Sequence, residues 1–334
     1  MENGKNMILK KFKLSPIAGD ASFRKFYRKK NTKQNKSSIF VLCKKEKFKN
    51  LLVYSAINEF LLKNNVKAPK LLSENYREGF IEIEDFGEVN FYNVLSKNKK
   101  RLKIYKRLVN LLIKIQKIKI KNINNFKYKN YRLKKYSLKE LHKESDLFFD
   151  WYLPLIMKKE KIINLKRRLR KELQLIYKNL QFNNNVFVHR DFHVSNLMKI
   201  NNKIGVIDSQ DAIVGNLAYD LVSLIDDVRI KTSKKLKDDV LKYYISKNCI
   251  ILKKRKKDFL NDFNILSIQR SMKIIGIFSR LYKRDGKRKY LKLIPYTWEL
   301  LESRLKDQMF SKIKNILDEF IVYKKRKKIN FYAN

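Results

Sequence analysis

The chain has 334 residues, 44% hydrophobic and 12% aromatic, which excludes a disordered polymer and leaves room for a core divided between two lobes. Its formal net charge of +47 comes from 79 Lys and Arg against 32 Asp and Glu. These cations are spread over nearly every segment and alternate with apolar residues, so they read as solvated faces and compositional drift, and no nucleic-acid partner is expected. Cys43 and Cys249, the only two cysteines, lie too far apart for a metal spacing or a disulfide framework. The N-terminus lacks the apolar core of a secretory signal, and no run of about 18 apolar residues occurs. A cytoplasmic protein without a membrane span, working as a monomer, is the expectation.

A short apolar segment at LSPI leads to a turn at Ala18-Gly19-Asp20, and alternation then predicts a strand over 23–27. SSIFVLC predicts a second strand over 38–43, and helical spacing of Leu51, Leu52, Ile57, Phe60 and Leu61 predicts a helix over 48–64. Pro69 breaks that pattern, and GFIEIE predicts a strand over 79–84. This order suits a small nucleotide-covering lobe at 1–88, with a hinge near Asp85 to Val89. A catalytic and substrate-binding lobe at 89–334 would follow. It is mainly helical, with amphipathic stretches over 101–120, 138–150 and 160–180, an irregular Lys/Asn-rich loop over 117–137, and helical periodicity resuming at Leu217. The strand VFVH and the hairpin NLMKINNKIGVID, turning at Asn201-Asn202-Lys203, interrupt it.

That interruption carries the chemistry. VFVHRDFHVSNLM followed by KIGVIDSQDA sets a His-x-Asp loop, an amide and a second carboxylate in the order used for transfer of the γ-phosphoryl group of ATP. Asp191 would accept the proton of an acceptor hydroxyl, with His189 and Arg190 as its catalytic-loop neighbours and His189 bracing the loop by a hydrogen bond. Asn196 and Asp208 offer a neutral and an anionic oxygen, a pair suited to Mg2+. His193 has two open readings, a substrate contact and a structural role. Asp220, opening the apolar helix AYDLVSLIDD, reads as an N-terminal cap. In the small lobe, Gly19 and Ser22 form a turn that would lie over the phosphates. Arg24, Arg28 and Lys44 are candidates for phosphate contact, and Glu59 for pairing with one of them.

With these residues in view, the sequence resembles the aminoglycoside phosphotransferase and choline kinase superfamily, relatives of protein kinases. Asp208-Ser209-Gln210 stands in place of the protein-kinase DFG segment. Four stretches, GDASFRKFYR, HRDFHVSNLM, IDSQDAIVGNLAYDLVSLIDDVR and QRSMKIIGIFSRLYKRDGKRKYL, look most like bacterial anomeric sugar kinases acting on N-acetylmuramate and N-acetylglucosamine. The resemblance implies an α+β, two-lobed protein-kinase-like fold with a small β-rich N-lobe and a larger helical C-lobe. It also implies ATP and Mg2+ as cofactors and a sugar α-1-phosphate as product, in cell-wall sugar salvage. CKKEKFKN departs from the pattern expected after the third strand, which leaves the family's lysine anchor unassigned.

On a helix, Gln269, Lys273, Gly276 and Arg280 fall near one stripe. Either it faces the cleft, where Gln269 and Arg270 contact sugar hydroxyls or a lactyl carboxylate, or it is a solvated face. Asp211 and Arg229 likewise either shape the acceptor pocket or form internal ion pairs. The rival readings are a kinase of an aminoglycoside, choline or homoserine, and a nucleic-acid-binding protein on a retired kinase fold.

Overall fold

Alternating side chains make strands of the early chain, and a 3.6-residue period makes helices of most of the rest. In chain order the principal elements are β1 (Leu14–Ile17), β2 (Lys25–Asn31), β3 (Lys36–Leu42), α1 (Lys49–Lys63), β4 (Leu71–Asn75), β5 (Phe80–Glu84), α2 (Phe91–Lys97), α3 (Arg101–Gln116), α4 (Leu138–Leu147) and α5 (Lys159–Lys178). There follow β6 (Val186–Val188), β7 (Leu197–Ile200), β8 (Lys203–Val206), β9 (Ile213–Gly215), α6 (Tyr219–Ile225), α7 (Lys234–Lys247), α8 (Lys256–Asp285), α9 (Ile294–Arg304) and α10 (Ser311–Phe320). The computed structural model describes residues 14–17, 24–31, 36–44, 47–121, 123–127 and 131–327. They fall into two compact units. The first comprises the described residues of Met1–Asn98, Lys117–Leu133 and Val194–Ala212, and the second Lys99–Gln116, Lys134–His193 and Ile213 onward.

The first unit is built on an antiparallel sheet of order β1-β2-β3-β5-β4. Ile39, Val41, Ile81 and Ile83 point to one face, where α1 lays Leu51 and Tyr54 on them. Phe40, Leu42 and Phe80 occupy the other face, with the two phenyl rings stacked at 5.5 Å. A slip of one residue would exchange the faces, so this alternation fixes the register. The strands expected over 23–27, 38–43 and 79–84 are β2, β3 and β5, and the expected helix is α1. β4 was not anticipated. Its sequence LLSEN is exposed at its three central positions, because an edge strand has only one paired side and little apolar alternation to show.

The β7–β8 hairpin also belongs to this unit. Its register runs from Leu197↔Val206 to Ile200↔Lys203, closing on a turn in which Asn201 takes φ 49°. Asparagine tolerates that left-handed conformation. The amide of Lys199 donates to the Val89 carbonyl and that of Val206 to the Lys67 carbonyl, both at 2.8 Å.

In the second unit α8 is the central element, packed against α4, α6 and α9. A side chain at Gly276 would collide with the backbone of Leu147, so the absent Cβ is what allows α8 and α4 to approach so closely. α4 ends sooner than the expected 138–150 and widens into a π turn over Phe148–Tyr152. The turn delivers Phe148, Phe149 and Tyr152 to the core, where the Trp298 indole N–H donates to the Tyr152 hydroxyl at 3.0 Å. Burying rings of this size contributes roughly 2–3 kcal/mol each. Among the described residues no helix is long and apolar enough to cross a membrane.

Candidate active site

β6 pairs antiparallel with β9, from Val186↔Gly215 to Val188↔Ile213, and delivers the chain to His189-Arg190-Asp191 in the second unit. Arg190 sits at φ 72°, a left-handed conformation costing about 1 kcal/mol or more for a residue with a Cβ. Asp220 holds it there. Its buried carboxylate accepts the backbone N–H of His189 at 2.6 Å and that of Arg190 at 3.0 Å. Burial pushes this carboxyl up to about 6, against the pull of His189, Arg270 and the two amides. The expected cap is therefore corrected. No side chain caps α6 at Ala218, and the carboxylate serves the catalytic loop because the helix presents its second residue to that loop.

The side chain of Arg190 pairs with Glu144 of α4, a residue that was not among the sequence candidates. Glu144 is 5% exposed and gathers donors from every side. Lys273 Nζ lies at 2.8 Å and Gln269 Nε2 at 3.0 Å, the Tyr219 hydroxyl donates at 3.3 Å, and the Tyr136 hydroxyl completes the shell. Burial pushes the Glu144 carboxyl up, but the charges of Lys273 and Arg190 outweigh it and hold the group down to about 2. A signal was available: Glu144 lies on the apolar side of an amphipathic helix, one turn from Leu141 and from Phe148.

The stripe on α8 faces α4, which rules out the solvated-face reading. Gln269 is fully buried and Lys273 is 7% exposed. The Gln269 amino group is committed to Glu144 and, at 3.4 Å, to the Leu141 carbonyl, so the expected hydroxyl-binding role is corrected for that group. Arg270 is also buried, and its Nη1 donates to the Arg190 carbonyl at 3.1 Å, adding a third restraint on the loop.

Asp191 is half-buried. Burial pushes its carboxyl up, but the combined positive charge of Lys273 and Arg270 holds it well below the usual carboxylate range. The amide of His193 donates to the Asp191 carbonyl at 3.0 Å. Burial, reinforced by Arg229, pushes the His193 imidazole down to about 3, so the ring is neutral at physiological pH. Arg229 pairs with Asp227 at 3.3 Å, the internal ion pair that was one of its two readings.

In the first unit the hairpin register brings the backbone of the two candidate metal ligands to the same end of the hairpin. The Ile207 amide donates to the Asn196 carbonyl at 3.0 Å, extending the ladder to the open end of the hairpin, where Asp208 follows directly. Asp208 takes φ 64°, and Arg24 Nη2 reaches its Oδ1 at 3.4 Å. The next residue, Ser209, donates its hydroxyl to Asn58 of α1 at 2.7 Å, fastening the segment to the helix. One carboxylate and one amide suit a hard divalent cation that keeps most of its sites for water and phosphate oxygens. The described residues contain no cluster of three or more His, Cys, Asp or Glu that could hold a metal ion. Asp211 is exposed and accepts from Gln210 Nε2 at 3.0 Å.

Of the small-lobe candidates, Gly19 and Ser22 lie outside the described residues. Arg24 is buried. Arg28 is occupied by Asp85, whose Oδ2 lies 2.6 Å from Nε, by Glu88 and by the Gly87 carbonyl. Lys44 is exposed just beyond β3. The expected partner for Glu59 is corrected: it pairs with Lys63 at 2.6 Å, one turn along its own helix, because α1 turns it to the exposed side.

Comparison with known proteins bears on the family and the fold. An N-acetylmuramate/N-acetylglucosamine kinase of Pseudomonas aeruginosa is 28% identical over 293 residues, covering 87% of this chain and 83% of that protein. A protein of the same name from Neisseria meningitidis is 27% identical over 291 residues, covering 85% and 83%. Among solved structures, the amicoumacin kinase hAmiN in complex with AMP-PNP, Ca2+ and Ami superposes with a TM-score of 0.59 at 12% identity, over 90% of this chain and 93% of that one. The likeness supports the expected α+β kinase-like fold, with its sheet-based first unit and helical second unit. The model of the phosphotransferase enzyme family matches residues 13–252, and the chain belongs to that family.

Proposed function

We propose that this chain is an ATP-dependent kinase that phosphorylates the anomeric hydroxyl of an N-acetylated amino sugar, N-acetylmuramate or N-acetylglucosamine. The curated relatives carry that name over most of their length. The observation that carries the chemistry is the catalytic loop, where Asp191 stands ionised beside cations on a backbone pinned by Asp220. A carboxylate held so far down is a weak base. It suits orientation of a hydroxyl and late proton acceptance, which is what a loose phosphoryl-transfer transition state asks of it. The anomeric hydroxyl is more acidic than an ordinary alcohol, so it matches such a base.

In this reading Asp191 aligns the acceptor hydroxyl and receives its proton on a carboxylate oxygen. Asn196 and Asp208 hold the divalent cation, Mg2+, that accompanies the nucleotide. When bound, that cation neutralises charge on the phosphates. Neutral His193 can donate one hydrogen bond and accept another near the acceptor without adding charge.

The test is an ATP-consumption assay with N-acetylmuramate and N-acetylglucosamine, with the product followed by phosphorus NMR. A glycosyl-phosphate resonance is expected. Turnover of an aminoglycoside or choline with neither sugar consumed would reject the acceptor, and failure to consume ATP with any of them would reject the reaction.

A further inference from the structure

Phosphoryl transfer in protein kinases uses a lysine on the third strand that reaches the phosphates and pairs with a glutamate on the following helix. Neither partner is where that pattern requires. In the third strand the one lysine, Lys36, stands at its first position opposite Asn31, at the far end of the ladder from Leu42, and Ser37 to Leu42 contain neither lysine nor arginine. Lys44 beyond it is exposed, Arg28 is held by Asp85 and Glu88, and Glu59 is tied to Lys63. On its buried side α1 offers Tyr54 and Asn58 instead of an acid.

Arg24 fits the vacancy in the pattern. The β2–β3 register ends at Lys25↔Leu42, and continuing it by one residue sets Arg24 opposite Cys43. Cross-strand partners share a face of the sheet. Cys43 packs with Ile39, Val41, Leu51 and Tyr54 on the α1 side, so Arg24 enters that same side from the neighbouring strand. Its side chain is 4% exposed, its guanidinium lies 5.7 Å from the centre of the Tyr54 ring, and its Nη2 is 3.4 Å from Asp208. A guanidinium presents a planar fork of donors that matches phosphate oxygens, and here it lies within cation–π range of a ring where the pattern has a helical carboxylate.

We propose that Arg24 is the phosphate-anchoring cation of the site, supplied from the residue just before β2 in place of a β3 lysine. It exchanges Asp208 for nucleotide phosphate oxygens when that carboxylate takes up the metal. The inference rests on the reading of the chain as a nucleotide-dependent kinase. Arg24 neutralises Asp208 before nucleotide arrives, and binding of the metal at Asp208 frees the guanidinium for the anion that arrives with it. Metal and nucleotide therefore bind with positive coupling.

The experiment measures calorimetric binding of MgADP and of adenosine to the full chain and to two variants, Arg24→Met and Arg24→Met with Cys43→Lys. Loss of charge-assisted hydrogen bonds to phosphate should weaken MgADP binding about 10- to 100-fold in the single variant. Adenosine, which has no phosphate, should bind all three proteins alike and so reports that the lobe is folded. The double variant, with its cation moved across to the residue following β3, should recover most of the MgADP affinity. Unchanged MgADP affinity in Arg24→Met would overturn the proposal, as would an equal loss for MgADP and adenosine, which marks a packing role. Failure of the double variant to recover would overturn the cross-strand equivalence. A wild-type chain that binds no MgADP would instead reject the kinase reading beneath it.

Discussion

Replacing Glu144 with Gln keeps the shape of the side chain and removes the charge at the centre of the second unit's polar network. The carboxyl is held down from an ordinary 4.5 to about 2, mainly by Lys273 and Arg190 once burial has been overcome. That difference corresponds to about 3 kcal/mol of net attraction in the folded state. The variant would take from buried Lys273 and half-buried Arg190 the carboxylate both of them contact, a loss that falls in the same range, roughly 3–5 kcal/mol. Both tryptophans, Trp151 and Trp298, belong to the second unit, so their fluorescence follows its unfolding in urea. With a slope of about 3 kcal/mol per molar urea, the midpoint should fall by about 1 M. The pH dependence gives a second signature. Because the folded pKa is depressed, the contribution is fully present above about 4.5 and is lost as pH falls towards about 2. The stability gap between wild type and variant should accordingly hold steady above about pH 5 and narrow below it. A midpoint shift under about 0.3 M, or a gap independent of pH, would refute the claim that Glu144 balances these cations.

Asp191→Asn should lower kcat by about 100-fold or more while leaving MgATP affinity nearly unchanged in a calorimetric titration, and near-normal turnover would remove it as the base. Asp208→Ala should weaken MgATP binding strongly and leave adenosine binding intact, since Asn196 alone cannot replace an anionic ligand. For Asp220 the sign is reversed relative to Glu144. Its folded pKa of about 6 lies above its ordinary 3.8, so lowering the pH through 6 adds stability from this group while removing an ionised acceptor from the catalytic loop. We expect kcat to drop below about pH 6 while stability does not, with Asp220→Asn losing that acid limb of the rate profile. Gly276→Ala gains helix propensity but drives a methyl into the Leu147 backbone, and a net loss of about 1–3 kcal/mol should appear in the same fluorescence assay.

The parts of this fold that could be read in the sequence are those whose signals are local. The alternation of β3 and β5, the spacing along α1 and the Asn-rich turn of the hairpin each lie within a few residues, and each predicts what forms. The Asp191, Asn196 and Asp208 order is equally local, since one loop and one hairpin carry it. What escaped depends on distant partners. Helical spacing marks Glu144 as an acid on a buried face, but its partners Arg190 and Lys273 lie far along the chain, and nothing local names them. β9 is three residues long and exists because β6 lies beside it. Asp220 resembled a helix cap because its sequence position is that of one, while its partners are backbone amides more than 30 positions away or nearly so. Arg24 was one basic residue among 79 until burial and strand register distinguished it.

The hairpin of β7 and β8 has a consequence for how the protein is made. It completes the first unit by bonding to Lys67 and Val89, yet its strands come from residues 197–206, more than a hundred positions later. A ribosome adding about 5–20 residues per second therefore exposes the sheet and α1 for several seconds before their last partner has been synthesised. Neither unit is a continuous stretch of chain, so a fragment cut at Asn98 would be an incomplete unit, with the Lys67 and Val89 carbonyls deprived of their hairpin donors. The two units are thus tied in order of birth. The first to begin folding must wait for the middle of the second to be translated, and a premature stop before Ala212 would leave both unfinished.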